Sequence, residues 1–277
     1  MYRIDSGGDG DSTGMFMQKQ EMRVLVATHK PYWMPRDDLY LPIQVGAAVP
    51  GRAPVPNTVA DNNGINISAK NPSYCELTAL YWAWKNYAVP YIGLAHYRRY
   101  FRGHGERKIA QKKDLARRLA PDTVLVPKRR RYYIETVYNH YVHAHHSAPM
   151  DLALDIIRRD YPGQVEASER VMNRTWLYLF NMFVMSKQNF DAYCEWLFAI
   201  LEEIESRIDT SHWSAYETRM PGFLSERLFN IWLEARDDLA IVECPYVTLE
   251  KQHTVAKVVN VIRRKVDRRN MGAGEAP

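Results

Sequence analysis

Val24-Leu25-Val26-Ala27-Thr28-His29-Lys30 and Tyr91-Ile92-Gly93-Leu94-Ala95-His96-Tyr97-Arg98-Arg99 share one construction. Each is a short, continuous apolar run that stops abruptly at histidine and cations. Runs without polar alternation are the pattern of strands buried on both faces, as in parallel sheets covered by helices. Ligands of such sheets collect outside the carboxyl ends of the strands. The two runs therefore predict an α/β fold and single out His29, Lys30, His96, Arg98 and Arg99.

The rest of the pattern alternates in the same way. Residues 31–63 are rich in Pro, Gly and Asn and read as a long irregular segment. A helix is expected near Tyr74–Tyr87, with Ser73 as its cap and Glu76 closing a capping box. Residues 106–119 read as a charged amphipathic helix, Thr123–Val126 as a strand, and 132–160 as mostly helical. Leu177–Met185 alternates and reads as a strand ending near Asn181. Helices are expected over 187–208, from about Phe223 to Ala235, and over 253–266, with a short strand at Ala240–Val242.

The chain has 277 residues, 46% of them hydrophobic, so it can build one large core. Aromatics make up 12%, and such rings either pack or stack on sugars and bases. Cys75, Cys194 and Cys244 are far apart without metal-ligand spacing, and read as small buried hydrophobes. No signal peptide and no bilayer-spanning apolar run is visible, so a cytoplasmic location is expected. Residues 1–20 include the polar, Gly-rich DSGGDGDSTG and are expected to be disordered. The folded domain is expected over 21–250, and a basic helix and tail over 251–277. Six basic residues against Asp267 between Lys257 and Arg269 carry a charge equal to the whole chain's net +5. Such a tail fits an anionic membrane face, a nucleic acid, or a solvated helix end.

Several stretches can carry chemistry. Arg98 and Arg99 present planar forks that bind phosphate in bidentate fashion. Beside them, His96 can donate to an anionic oxygen. His29-Lys30 can meet the same phosphates or be a solvated turn. In DNNGINISAKN (61–71), Asn66, Ser68, Lys70 and Asn71 can bond a sugar or ribose, or simply make turns and caps. His140, His143, His145 and His146 fall at helical spacings but form no strong zinc motif. Substrate bonding or packing is the alternative. Glu226, in GFLSERL (222–228), sits where a helix should begin and is a candidate general base, or an ordinary first-turn acid. There is no P-loop, GxGxxG or GxSxG, so those chemistries have no support.

HKPYWMP (29–35), DNNGINISAKNPSYCELTALYWAWKN (61–86), YIGLAHYRRYF (91–101), YYIETVYNHYVHAHH (132–146), NMFVM (181–185) and GFLSERLFNIWL (222–233) resemble the capsular-polysaccharide-synthesis glycosyltransferase family, long labelled a domain of unknown function. It includes the galactofuranosyltransferase domain of a bifunctional O-antigen polymerase. The resemblance covers about residues 22–245. It implies a GT-A-like mixed, mostly parallel sheet flanked by helices. It also implies a bacterial enzyme that moves a sugar from a UDP-sugar, galactofuranose among the candidates, with inversion, onto a capsule or O-antigen glycan. On this resemblance Glu226 is the base and Glu76 its reserve. His29, Lys30, Asp61, Asn66, Ser68, Lys70, His96, Arg98 and Arg99 bind the donor. Asn181, His143 and His146 meet the acceptor. No cofactor is required, because arginines stand where an Asp-x-Asp would hold a metal. Ile65 departs from the family's polar loop, which carries an Asp there. A glycan or lipid-linked acceptor and peripheral membrane contact through the basic tail are expected partners. The rival readings are a non-catalytic carbohydrate-binding module and a nucleic-acid-binding protein. The latter is suggested by pI ≈ 9.0 but disfavoured by charge gathered in one tail.

Overall fold

The computed structural model describes residues 21–249. The expected disordered segment 1–20, the helix over 253–266 and the basic tail lie outside them. The predicted central strands are β1 (Met22–Thr28) and β4 (Tyr91–His96). They pair in parallel, with Val24 opposite Gly93 and Ala27 opposite His96. The remaining strands of the main sheet are β2 (Tyr40–Gln44), β3 (Val59–Ala60), β6 (Thr123–Pro127), β9 (Phe183–Ser186) and β10 (Ala240–Cys244). Their order is β10-β6-β9-β4-β1-β2-β3. Only β9 runs against its neighbours on this path. Short β5 (Arg99–Phe101) turns back along β4, and β11 (Tyr246–Thr248) follows at the margin. A separate ribbon pairs β7 (Arg130–Arg131) with β8 (Trp176–Leu177). The mixed, mostly parallel, GT-A-like sheet flanked by helices is thus the one expected.

Gly93 shows why β4 can sit so tightly against β9. A Cβ there would lie 2.4 Å from the Phe183 carbonyl oxygen. Only glycine permits that approach.

Eight helices cover the sheet among the described residues: α1 (Asn71–Tyr74), α2 (Leu77–Asn86), α3 (Lys112–Ala116), α4 (Val137–Ala144), α5 (Ala148–Asp160), α6 (Val165–Asn173), α7 (Lys187–Arg207) and α8 (Met220–Glu234). In α7 the Ser186 hydroxyl caps the Asn189 N–H, and Phe190, Tyr193, Leu197, Leu201 and Ile204 recur on the buried face. Phe183, Tyr193, Phe229 and Trp232 meet between α7, α8 and the sheet, with ring centroids 5.1 to 5.9 Å apart. Each such pair adds ~1 kcal/mol beyond its burial. Much of the aromatic content is therefore core.

Five expectations needed correction. The irregular segment 31–63 hides β2 and β3, because Pro42 inside β2 masks a strand. The helix near Tyr74–Tyr87 is two helices broken at Cys75, whose φ is +52°. Ser73 caps nothing there; its hydroxyl donates to the Lys70 carbonyl. The amphipathic helix over 106–119 shrinks to α3, because Arg107 and Lys108 adopt positive φ and Arg102 bridges to Ile109. The stretch 132–136 precedes α4 rather than joining it. Leu177–Met185 is not one strand, since positive φ at Phe180 and Asn181 separates β8 from β9.

Candidate active site

β1 and β4 end side by side, and β9, being antiparallel, begins at the same edge of the sheet. Three segments therefore converge there: the residues after β1, the turn after β4 and the Phe180-Asn181 turn before β9. The break between α1 and α2 and the second turn of α8 complete the ring.

Breaking the helix at Cys75 aims Glu76 into this ring instead of along its own backbone. Its side chain is only 14% exposed, and its carboxylate lies 3.5 Å from His96 Nε2. Asn181 Nδ2 donates to the same carboxylate at 2.8 Å and to Ser225 Oγ at 3.0 Å. Burial alone would raise the Glu76 carboxyl. The His96 charge, with hydrogen bonds from His96 and Asn181, overcomes this and holds it at about 2.

Glu226 behaves in the opposite way. Pro221 starts α8 at Met220, so Glu226 is not in the first turn as the sequence suggested, and the helix N-terminus does not explain its setting. It accepts the Phe180 N–H at 2.8 Å and lies 3.1 Å from Arg227 Nη1. Burial, reinforced by the nearby Glu76 charge, outweighs these contacts and raises its carboxyl above the usual value. The two carboxyls are thus pushed in opposite directions, Glu76 down and Glu226 up. Environments that push two carboxylates apart in this way mark acid–base sites.

Among the described residues, the polar atoms of the ring that are buried without a hydrogen-bond partner include Asn181 Oδ1, Arg99 Nε and Arg227 Nε. Buried polar atoms are normally satisfied, so such gaps call for an explanation. The backbone is strained at the same place, with φ of +77° at Phe180 and +49° at Asn181. Arg99 lies over the Phe180 ring, 4.2 Å from its centroid.

A cationic rim adjoins this ring. His29 has its pKa lowered by burial first and then by Lys30, Arg52 and Arg98, so these four groups share one space. Tyr32 stacks on Tyr97 at 3.9 Å, tying the segment after β1 to the turn after β4. The structure thus brings together His29, Lys30, His96, Arg98, Arg99, Glu76, Asn181 and Glu226. Sequence reasoning missed Arg52, hidden in the Pro-rich segment, and Arg227, whose burial nothing in the sequence marks.

The 61–71 loop is placed differently. Asp61 is fully buried and accepts from Gly46 N at 2.8 Å, Ala47 N at 3.0 Å and the Ser68 hydroxyl. Ser68 Oγ in turn accepts from Ala48 N at 3.0 Å. Asn66 bonds Gly64 O and Ser68 N. Lys70 pairs with Glu205 on α7 at 2.6 Å. In the fold Asp61 and Ser68 pin the 46–48 turn, Asn66 makes a local turn, and Lys70 ties the loop to a helix. Ile65 is exposed.

His143 and His146, expected at the acceptor, have acidic partners of their own. His143 pairs with Glu135 at 3.3 Å, and His146 pairs with Glu217 at 3.0 Å while stacking on Trp213. His146, His145, Tyr141, Trp213 and Phe223 line a shallow aromatic pocket at the start of α8. Burial, then Arg227, lowers His145 to about 4, and it stacks on Phe223. Among the described residues, no three His, Cys, Asp or Glu side chains converge as a metal-ligand set. No described helix is long and apolar enough to cross a membrane.

The family model described as "Domain of unknown function (DUF4422)" matches residues 23–237. The chain belongs to this family. The match takes in β1 through α8 and every residue of the ring. No curated protein matches the chain. Its fold is similar to a solved structure described as the WbbM bifunctional glycosyltransferase in its apo form, with a TM-score of 0.77 and 30% identity. The likeness covers 83% of this chain and 45% of that one, so this DUF4422 chain spans less than half of that enzyme. The mixed sheet and its helices are thus a glycosyltransferase fold.

Proposed function

We propose that the chain is a glycosyltransferase that moves a sugar from a UDP-sugar to a glycan acceptor with inversion at the anomeric carbon. The observation that carries this reading is the divergent pair: Glu76 held anionic and Glu226 raised, beside a cationic rim at the carboxyl edge of the sheet. The similarity to WbbM supports the reaction class. Galactofuranose as the donor sugar and a capsule or O-antigen glycan as acceptor belong to the same proposal.

In this reading Glu226 takes the proton from the acceptor hydroxyl, whose oxygen attacks the anomeric carbon opposite the leaving group. The bond to the diphosphate breaks, and UDP departs with the electron pair. His29, Lys30, Arg98 and Arg99 stabilise the charge that develops there. Glu76 orients His96 and Asn181 and stays ionised throughout. The chain's own cations, Lys30, Arg98 and Arg99, can take the part that a divalent cation plays at a diphosphate.

Release of UDP from a panel of UDP-sugars, with and without manganese, tests the reaction. One sugar is expected to turn over, and no turnover with any donor would overturn the proposal. Arg98→Ala should weaken UDP binding about tenfold, the usual cost of one charge-assisted contact. Unchanged UDP affinity would remove the rim from the donor site.

A further inference from the structure

The ribbon that leaves the carboxyl end of β6 takes no part in the proposed chemistry, yet it carries the most prominent surface feature described. Lys128, Arg129, Arg130 and Arg131 are consecutive and all exposed. Tyr133 and Ile134 follow after Tyr132, with 82% and 84% of their surface in solvent, the most exposed of the large apolar side chains described. The segment is held in place. Arg130 and Arg131 pair with Leu177 and Trp176, Tyr132 N donates to the Thr175 carbonyl at 2.7 Å, and the Tyr132 ring stacks on His140 at 4.0 Å. Tyr133 has a φ of +65°, a costly conformation for an aromatic residue. Strain spent on presenting two apolar side chains to water needs a reason.

We propose that residues 128–134 form a membrane-contact tip that docks on anionic phospholipid. Lys128, Arg130 and Arg131 attract the negative leaflet, each worth about fivefold in binding, while Arg129 is held by Glu243 and the Trp176 ring. The Tyr–Ile pair enters the boundary between headgroups and acyl chains, where tyrosine is at home. A lipid surface explains the pair better than a nucleic acid does. A base would stack on Tyr133, but Ile134 gains nothing from stacking and gains from leaving water. Position agrees. β6 runs parallel to β4, since both oppose β9, so its carboxyl end opens on the edge of the sheet that holds the candidate site. Tyr132, at the root of the tip, feels both Arg227 and Glu226. Docking there sets the site against the bilayer, where a lipid-linked acceptor presents its hydroxyl. The contact extends the glycosyltransferase reading but does not depend on it.

Co-sedimentation of the full chain with phosphatidylglycerol-containing vesicles, against pure phosphatidylcholine vesicles, is the test. The parent should bind the anionic vesicles and lose binding as salt rises. Replacing Tyr133 and Ile134 together by serine should weaken binding roughly tenfold. Replacing Arg130 and Arg131 by alanine should weaken it about thirtyfold. Both variants change exposed side chains, so their melting temperatures and UDP affinity should match the parent's. No binding by the parent, equal binding to both vesicle types, or parent-like binding by both variants would overturn the proposal. So would loss of single-stranded RNA binding in the variants with vesicle binding intact. None of these readouts requires sugar transfer, so failure of the membrane contact and failure of the enzyme reading are distinguishable.

Discussion

Two polar clusters are buried within this fold, and they differ in what they leave unfinished. Around Asp61 every acceptor is met: two backbone N–H groups and the Ser68 hydroxyl converge on one carboxylate, and Ser68 closes on Ala48. Around Glu76 and Glu226 the bonding stops short, with Asn181 Oδ1, Arg99 Nε and Arg227 Nε left open and the backbone strained at Phe180 and Asn181. A closed network rigidifies a loop. An open one, with its carboxyls pushed apart, is kept against its own cost because something else completes it. Residue type does not separate the two, since each holds an acid, a serine and an asparagine. Satisfaction does.

The comparison breaks most visibly at Glu226. Glu226→Gln keeps an oxygen for the Phe180 N–H but cannot take a proton, so turnover should fall by about a hundredfold to ten-thousandfold. Stability should move the other way. The folded-state carboxyl lies above its usual value of 4.5. The stability it contributes is therefore full below that value and is lost as pH rises through the raised one. At neutral pH the glutamine variant should melt at or above the parent's temperature, while near pH 4 the two should converge. Glu76 has the opposite sign, its contribution being present above 4.5 and lost as pH falls toward about 2. Turnover that survives in Glu226→Gln removes it as base. A neutral-pH melting temperature well below the parent's removes the account of its burial.

At the closed cluster the same kind of change should act on the fold alone. Asp61→Ala strands the Gly46 and Ala47 N–H groups and the Ser68 hydroxyl in a buried place. Unsatisfied groups of this kind cost ~1–3 kcal/mol each, so a loss of about 3 kcal/mol or more is expected by denaturant titration. The UDP affinity of the molecules that remain folded should be unchanged. A large drop in affinity at unaltered stability would place Asp61 at the donor.

This difference explains what could be read in the sequence and what could not. The apolar runs at 24–28 and 91–95 announced their strands, because burial on both faces leaves no polar residue in them. They also pointed to His29, His96 and Arg98 through the geometry of parallel sheets. Glu76 was found for a helix-capping reason, whereas the structure uses it because the chain breaks at Cys75. That break depends on one positive φ and on the Asn71 side chain reaching the Cys75 carbonyl, which no periodicity reveals. Arg227 and Arg52 were invisible because a buried cation has the same letter as a solvated one. Asp61 and Ser68 looked like ligand groups for the reason that makes them good loop pins: both hydrogen-bond strongly at short range.

The smallest effect tests the boundary of the closed cluster. Lys70 belongs to the same loop as Asp61, but its ammonium is about half exposed where it meets Glu205. An exposed pair gains little Coulomb energy in water and must hold two long side chains in one arrangement. Tyr74 also donates to Glu205 at 2.9 Å, so the carboxylate keeps a partner when the lysine is gone. Lys70→Ala should therefore cost less than ~1 kcal/mol of stability, shrinking further at high salt. UDP affinity should stay within error of the parent's, because the ammonium is spent on α7. A tenfold loss of UDP binding with the fold intact would mean that Lys70 releases Glu205 to meet the donor. The line between the loop that holds the fold and the ring that holds the substrate would then have to be redrawn through residue 70.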